Sequence, residues 1–119
     1  MNIEYFLKNW KNIDKKDVQF SKAEWMNISK NQNLSEGFIE EYKNCLNWYH
    51  ISRYQILSEL FIKKHLDKLD CCYISCYQKL SDIFILEMYK YIDYNVLRYN
   101  KNIKYILFQS KLGRSLLIL

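Results

Sequence analysis

A fixed interval of 23 residues runs through the middle of this chain. Leu34-Ser35-Glu36-x-Phe38-Ile39 returns as Leu57-Ser58-Glu59-x-Phe61-Ile62 and again as Leu80-Ser81-Asp82-x-Phe84-Ile85. The second half of the unit recurs as well, Ile51-Ser52-x-Tyr54-Gln55 becoming Ile74-Ser75-x-Tyr77-Gln78. Units 34–56 and 57–79 share 10 of 23 residues without a gap. Self-similarity at such a period is the mark of a stacked array, in which each unit buries its apolar face only against its neighbours.

Each unit reads as two short helices. Ser35, Ser58 and Ser81 suit a first N-cap, where a hydroxyl accepts from an otherwise unbonded backbone N–H. An acid follows each of them, matched to the helix dipole. The leucine before the cap and the isoleucine four residues after it form a hydrophobic staple: Leu34 with Ile39, Leu57 with Ile62, Leu80 with Ile85. Asn47, Asp70 and Asp93 cap a second helix, stapled by Leu46 with Ile51, Leu69 with Ile74 and Ile92 with Leu97. The set Phe38, Ile39, Tyr42, Leu46 keeps helical spacing. No proline and only two glycines occur, so few positions break a helix or support a tight hairpin. The expectation is an all-α fold of stacked short helix pairs, an α-solenoid-like repeat or a compact helical bundle. Its single domain spans 1–119, with an N-terminal cap and half-unit at 1–33, repeat units at 34–56, 57–79 and 80–102, and a C-terminal cap at 103–119.

The string L-S-E-x-F-I…L-(N/D)-W-x-x-I-S-x-Y-Q resembles a short tandem repeat found in proteins of large DNA viruses and bacteriophages. The resemblance covers residues 25–102. It implies a viral or phage origin and a role in engaging a host protein, and it implies no catalytic residues. Small phage proteins of this size often antagonise bacterial defence, CRISPR systems included.

The residues themselves show no active site. There is no glycine-rich loop, P-loop or G-x-S-x-G sequence. Carboxylates stand at caps or on solvated helix faces. Cys71, Cys72 and Cys76 lie close together, and His65 or His50 could complete a zinc set. No C-x-x-C pair exists, however, and Cys71 takes the slot of Trp25, Trp48 and Tyr94, which reads as core. No metal or other cofactor is expected. The recurrent Ser29, Ser52 and Ser75 read as small residues that let a neighbouring helix approach, and Gln32, Gln55 and Gln78 as bonds to exposed carbonyls between units.

What departs from the period is the better guide to function. The second helices carry Tyr49, His50 and Arg53, then Tyr73 and Cys76, then Arg98 and Tyr99, an aromatic and arginine composition typical of binding hot spots. That row is the candidate surface for a host protein. An alternative lies in the charge distribution. Residues 1–93 carry 13 basic and 13 acidic side chains, so the net charge of +5 belongs entirely to Arg98, Lys101, Lys104, Lys111 and Arg114. Interleaved with Tyr99, Tyr105 and Phe108, these could meet phosphates and stack bases. A third reading is a homo-oligomer joined through the apolar segment 115–119, which follows Gly113, a helix C-cap candidate. No apolar run is long enough to span a bilayer and the N-terminus lacks a signal peptide's pattern, so the expected setting is the host cytosol with no membrane partner.

Overall fold

The computed structural model describes residues 1–31 and 33–102 and, as backbone, the strands 106–109 and 115–118. The chain divides into two compact units, Met1–Gln55 and Ile56–Leu119. The fold is all-α: eight short α-helices and two 3-10 turns account for the regular structure through residue 100. A two-stranded antiparallel hairpin follows.

In the first unit, helix α1 (Ile3–Asn9) leads into the 3-10 turns Trp10–Asn12 and Lys15–Asp17. Helix α2 (Lys22–Ser29) starts with a full capping box: Ser21 Oγ accepts from Glu24 N–H, and the Glu24 carboxylate accepts from Ser21 N–H. Those two Ser21 contacts hold the Glu24 carboxyl below the usual carboxylate range. Helices α3 (Glu36–Glu41) and α4 (Trp48–Tyr54) form the first repeat pair, and α2 packs against α4. Phe6, with no exposed surface, is the centre of the core. Its ring meets Phe20, Trp25, Phe38 and Tyr42 at centroid distances of 5.1–6.0 Å, all at steep angles. Edge-to-face packing of this kind adds to the area burial of each ring. The atypical N-terminus therefore caps the stack with aromatics.

The second unit repeats the arrangement with α5 (Glu59–Lys64), α6 (Cys71–Tyr77), α7 (Asp82–Glu87) and α8 (Tyr94–Leu97), and α6 packs against α8. Strand β1 (Ile106–Gln109) lies beside α7 and pairs antiparallel with β2 (Ser115–Ile118), Leu107 opposite Leu117. The uniformly apolar runs 106–108 and 116–118 carry neither the 3.6 nor the 2 period, which is why the hairpin was not foreseen. Gly113 lies outside the described residues.

Every expected cap is present. Ser35, Ser58 and Ser81 accept from Phe38, Phe61 and Phe84 N–H at 3.1–3.2 Å. Asn47, Asp70 and Asp93 accept from His50, Tyr73 and Asn95 N–H at 2.9–3.1 Å. The isoleucines at 39, 51, 62, 74 and 85 are sealed at 0 % exposure, as the staples require.

The recurrent serines do more than leave room. Ser29 Oγ donates to Trp25 C=O at 2.7 Å and accepts the N–H of Asn47, the next cap residue, at 2.8 Å. Ser75 does the same with Cys71 C=O at 2.7 Å and Asp93 N–H at 2.9 Å. Both are fully buried. The hydroxyl thus satisfies a backbone donor that packing removes from water. Gln55 Nε2 donates to Ser29 C=O and to Asn31 C=O. Gln78 Oε1 accepts from Leu57 N–H. In the last unit Arg98 stands in the serine slot, α8 is only four residues long, and Asn100 Nδ2 bonds the carbonyls of Ser75 and Gln78 instead. The array stops where its bonding side chains stop. Gln32 lies outside the described residues.

Candidate protein-binding surfaces

Helix α4 is fixed by the Asn47 cap and by Ile51 and Ser52, both inward. That orientation leaves Tyr49 62 % exposed and Arg53 exposed, with His50 partly covered. His50 and Tyr54 rings lie 5.9 Å apart, and the Arg53 guanidinium sits 5.0 Å over Tyr54. Burial pushes the His50 pKa down, and the positive charges of Lys30 and Arg53 push it further, so the imidazole is neutral at pH 7. Tyr49, His50 and Arg53 therefore come together as one outward patch with a flat apolar body, a cation and hydroxyl and imidazole hydrogen-bonding groups.

In the second unit the expected residues fall into two settings. Tyr73 and Cys76 on α6 are half-buried, Tyr73 lying 6.0 Å from the exposed Tyr77 ring. Arg98 and Tyr99, just past α8, are exposed: the Arg98 guanidinium lies 5.5 Å over the Tyr99 ring and its Nε donates to Asn95 C=O. Of the basic set, Arg98 and Lys101 are described and exposed. Lys104, Lys111 and Arg114 lie outside the described residues, as does Leu119 of the apolar tail.

Cys71 is corrected. It is exposed rather than core, because the slot it shares with Trp25 is buried only where the N-terminal aromatics surround it. Cys72 donates from Sγ to Asp93 Oδ2 at 3.3 Å. That bond, then partial burial and nearby negative charge, push its thiol pKa up to about 11. Among the described residues no group of three His, Cys, Asp or Glu side chains is placed to hold a metal ion. None of their helices is long and apolar enough to cross a membrane.

Two features escaped the sequence reading. The first helices expose apolar side chains at one repeat position, Leu60 (80 %) and Ile83 (68 %), with Ile56 (83 %) nearby in sequence. The interval itself marks this row, since Gly37, Leu60 and Ile83 follow one another at 23 residues. The other is a cleft between α1 and the start of α3. No protein-family model matches the chain, and no curated protein and no solved structure is found to be similar to it.

Proposed function

We propose that this protein is a non-enzymatic binding module whose partner is another protein, engaged in its first unit through Tyr49, His50 and Arg53. The observation that carries this reading is the exposed Tyr49–Arg53 pair on a helix whose inward face is fully committed to the core. A rigid aromatic beside an arginine loses little side-chain freedom on binding, which is why such pairs dominate interface energetics. The finer identity rests on the repeat's resemblance to viral and phage proteins and on the size of the chain. It is a host-protein antagonist acting in the host cytosol, with a bacterial defence complex of the CRISPR type as the first partner to test.

The test is affinity capture from bacterial lysate with the intact chain and with Tyr49→Ala/Arg53→Ala in parallel. A partner recovered near stoichiometry by the first and lost by the second, both equally helical by circular dichroism, supports the reading. Equal recovery by both refutes the site. A second reading, nucleic-acid binding, draws on the exposed Arg98 and Lys101 and the acid-free sequence beyond Asp93. It predicts salt-steep binding abolished by Lys101→Glu/Lys104→Glu/Lys111→Glu.

A further inference from the structure

The N-terminal cap leaves one surface of the first unit unfinished. Helix α1 passes directly into its 3-10 turn, which sets Trp10 edge-on to Phe38 at 5.4 Å and to Tyr42 at 6.4 Å. Between this turn and the segment leading into α3 runs an open cleft of about 580 Å³, floored by Leu7, Trp10, Leu34 and Phe38. Leu34 marks what is missing. It is the staple leucine of its repeat, and its counterparts Leu57 and Leu80 are buried to 5 % and 6 % exposure, whereas Leu34 remains half-exposed to the cleft.

The rim supplies the charge. Lys8 and Lys11, one helical turn apart, both line the cleft and both are exposed. Elsewhere in the unit Lys15, Lys16 and Lys43 have carboxylate partners at 3.0–3.7 Å. Among the described residues none lies within ion-pair distance of Lys8 or Lys11, although Glu4 lines the same cleft. Lys11 Nζ instead lies 5.7 Å over the Trp10 ring. The indole face is thus shared with a cation, which favours an incoming carboxylate and obstructs the stacking of a base.

We propose that this cleft is a docking site for an acidic segment of a partner protein, one that places a leucine- or phenylalanine-sized side chain over Leu34 and Trp10 and its carboxylates beside Lys8 and Lys11. A cleft of this volume falls in the range that holds a compact ligand group. Two cations and one carboxylate suit a short acidic peptide and fall short of the phosphate-neutralising track a nucleic acid requires. The site is separate from the Tyr49–Arg53 patch and stands whether or not that patch binds.

The test uses the full chain, labelled with nitrogen-15, and follows the Trp10 indole N–H resonance, assigned with Trp10→Phe. The probe is an N-acetylated Asp-Asp-Phe-Asp-Leu-Asp peptide. Three controls accompany it: the peptide with serine in place of phenylalanine and leucine, the peptide with lysine in place of aspartate, and oligouridine. The acidic apolar peptide should shift the resonance saturably. Lys8→Glu/Lys11→Glu should weaken it roughly tenfold, the loss of two solvent-screened charge contacts, while Tyr49→Ala leaves it unchanged. No shift at millimolar peptide, an equal shift by the serine control, tighter binding of oligouridine, or an unaffected charge-reversal variant would each overturn the proposal. Both lysines are exposed, so the variant is expected to fold. Leu34→Asp provides a second disruption, from the apolar floor.

Discussion

Replacing Ser75 with alanine isolates the bond on which the stacking of units 57–79 and 80–102 depends. The serine hydroxyl is buried, accepts Asp93 N–H at 2.9 Å and donates to Cys71 C=O at 2.7 Å. The two bonds are unequal in consequence. The Cys71 carbonyl lies in the first turn of α6 and has its helical acceptor role regardless, so its loss costs little. The Asp93 N–H precedes the first turn of α8 and has no other bonding partner on the page, so alanine leaves a part-buried donor unmet, at about 1–3 kcal/mol. Alanine's better helix propensity returns roughly 0.5 kcal/mol. The net loss is about 1–2.5 kcal/mol. With a urea m-value of roughly 1–3 kcal/mol/M, the unfolding midpoint should fall by about 0.5–1.5 M at unchanged m. Amide exchange at Asp93 should accelerate in the same variant. Ser29→Ala, whose bonds have nearly the same lengths, should cost the same. An unchanged or raised midpoint, or full protection of the Asp93 amide, would show that the serine is there for its size alone.

Four further outcomes follow. Phe6→Ala empties the centre of the aromatic cap and should cost about 3–5 kcal/mol, a large fraction of a small domain's stability, read by thermal unfolding. Gly37→Ala should stabilise by roughly 0.5–1 kcal/mol, because an added Cβ meets nothing nearer than Ser35 Oγ at 3.9 Å in a helical position; unchanged or lowered stability would refute this. Gln55→Leu leaves the Ser29 and Asn31 carbonyls without its amide and should lower stability by about 2 kcal/mol in urea titration. Cys72, with its thiol raised to about 11, should react with a disulfide reagent at pH 8 well behind the exposed Cys45 and Cys71. The folded state holds the Cys72 proton more tightly than the unfolded chain. Its contribution is therefore complete below pH 9 and is lost as the pH rises through 11, so Cys72→Ala should flatten the alkaline fall in stability.

The fold was legible wherever local chemistry decides conformation. A serine or aspartate cap with a staple across it is a short-range device, and each one occurs where its residues stand. What misled was everything set by surroundings. The alignment of Cys71 with Trp25 predicts a shared environment, but only Trp25 has Phe6 and Phe20 beside it. Ser29 and Ser75 could be recognised as inward and small, yet the donor they satisfy lies 18 residues further on, a pairing no spacing rule supplies. The candidate surfaces divide along the same line. Tyr49 and Arg53 were found because helical periodicity places them opposite Ile51 and Ser52. The Lys8–Trp10 cleft was missed because it depends on how a non-repeating cap meets the first repeat.

The bonds made by Ser75 and Asn100 reach backbone atoms, whatever side chains those residues bear. Such joints are indifferent to identity and strict about register. A duplicated copy of residues 57–79 placed after Lys79 would present Leu80 and Asp93 with the same serine hydroxyl and the same carbonyls, so the chain can grow in whole units at little conformational cost. An insertion of any other length would strand them. A lineage carrying this protein can therefore add, lose or recolour its surface by recombination between its own repeats, and its length becomes a heritable variable as readily as its sequence.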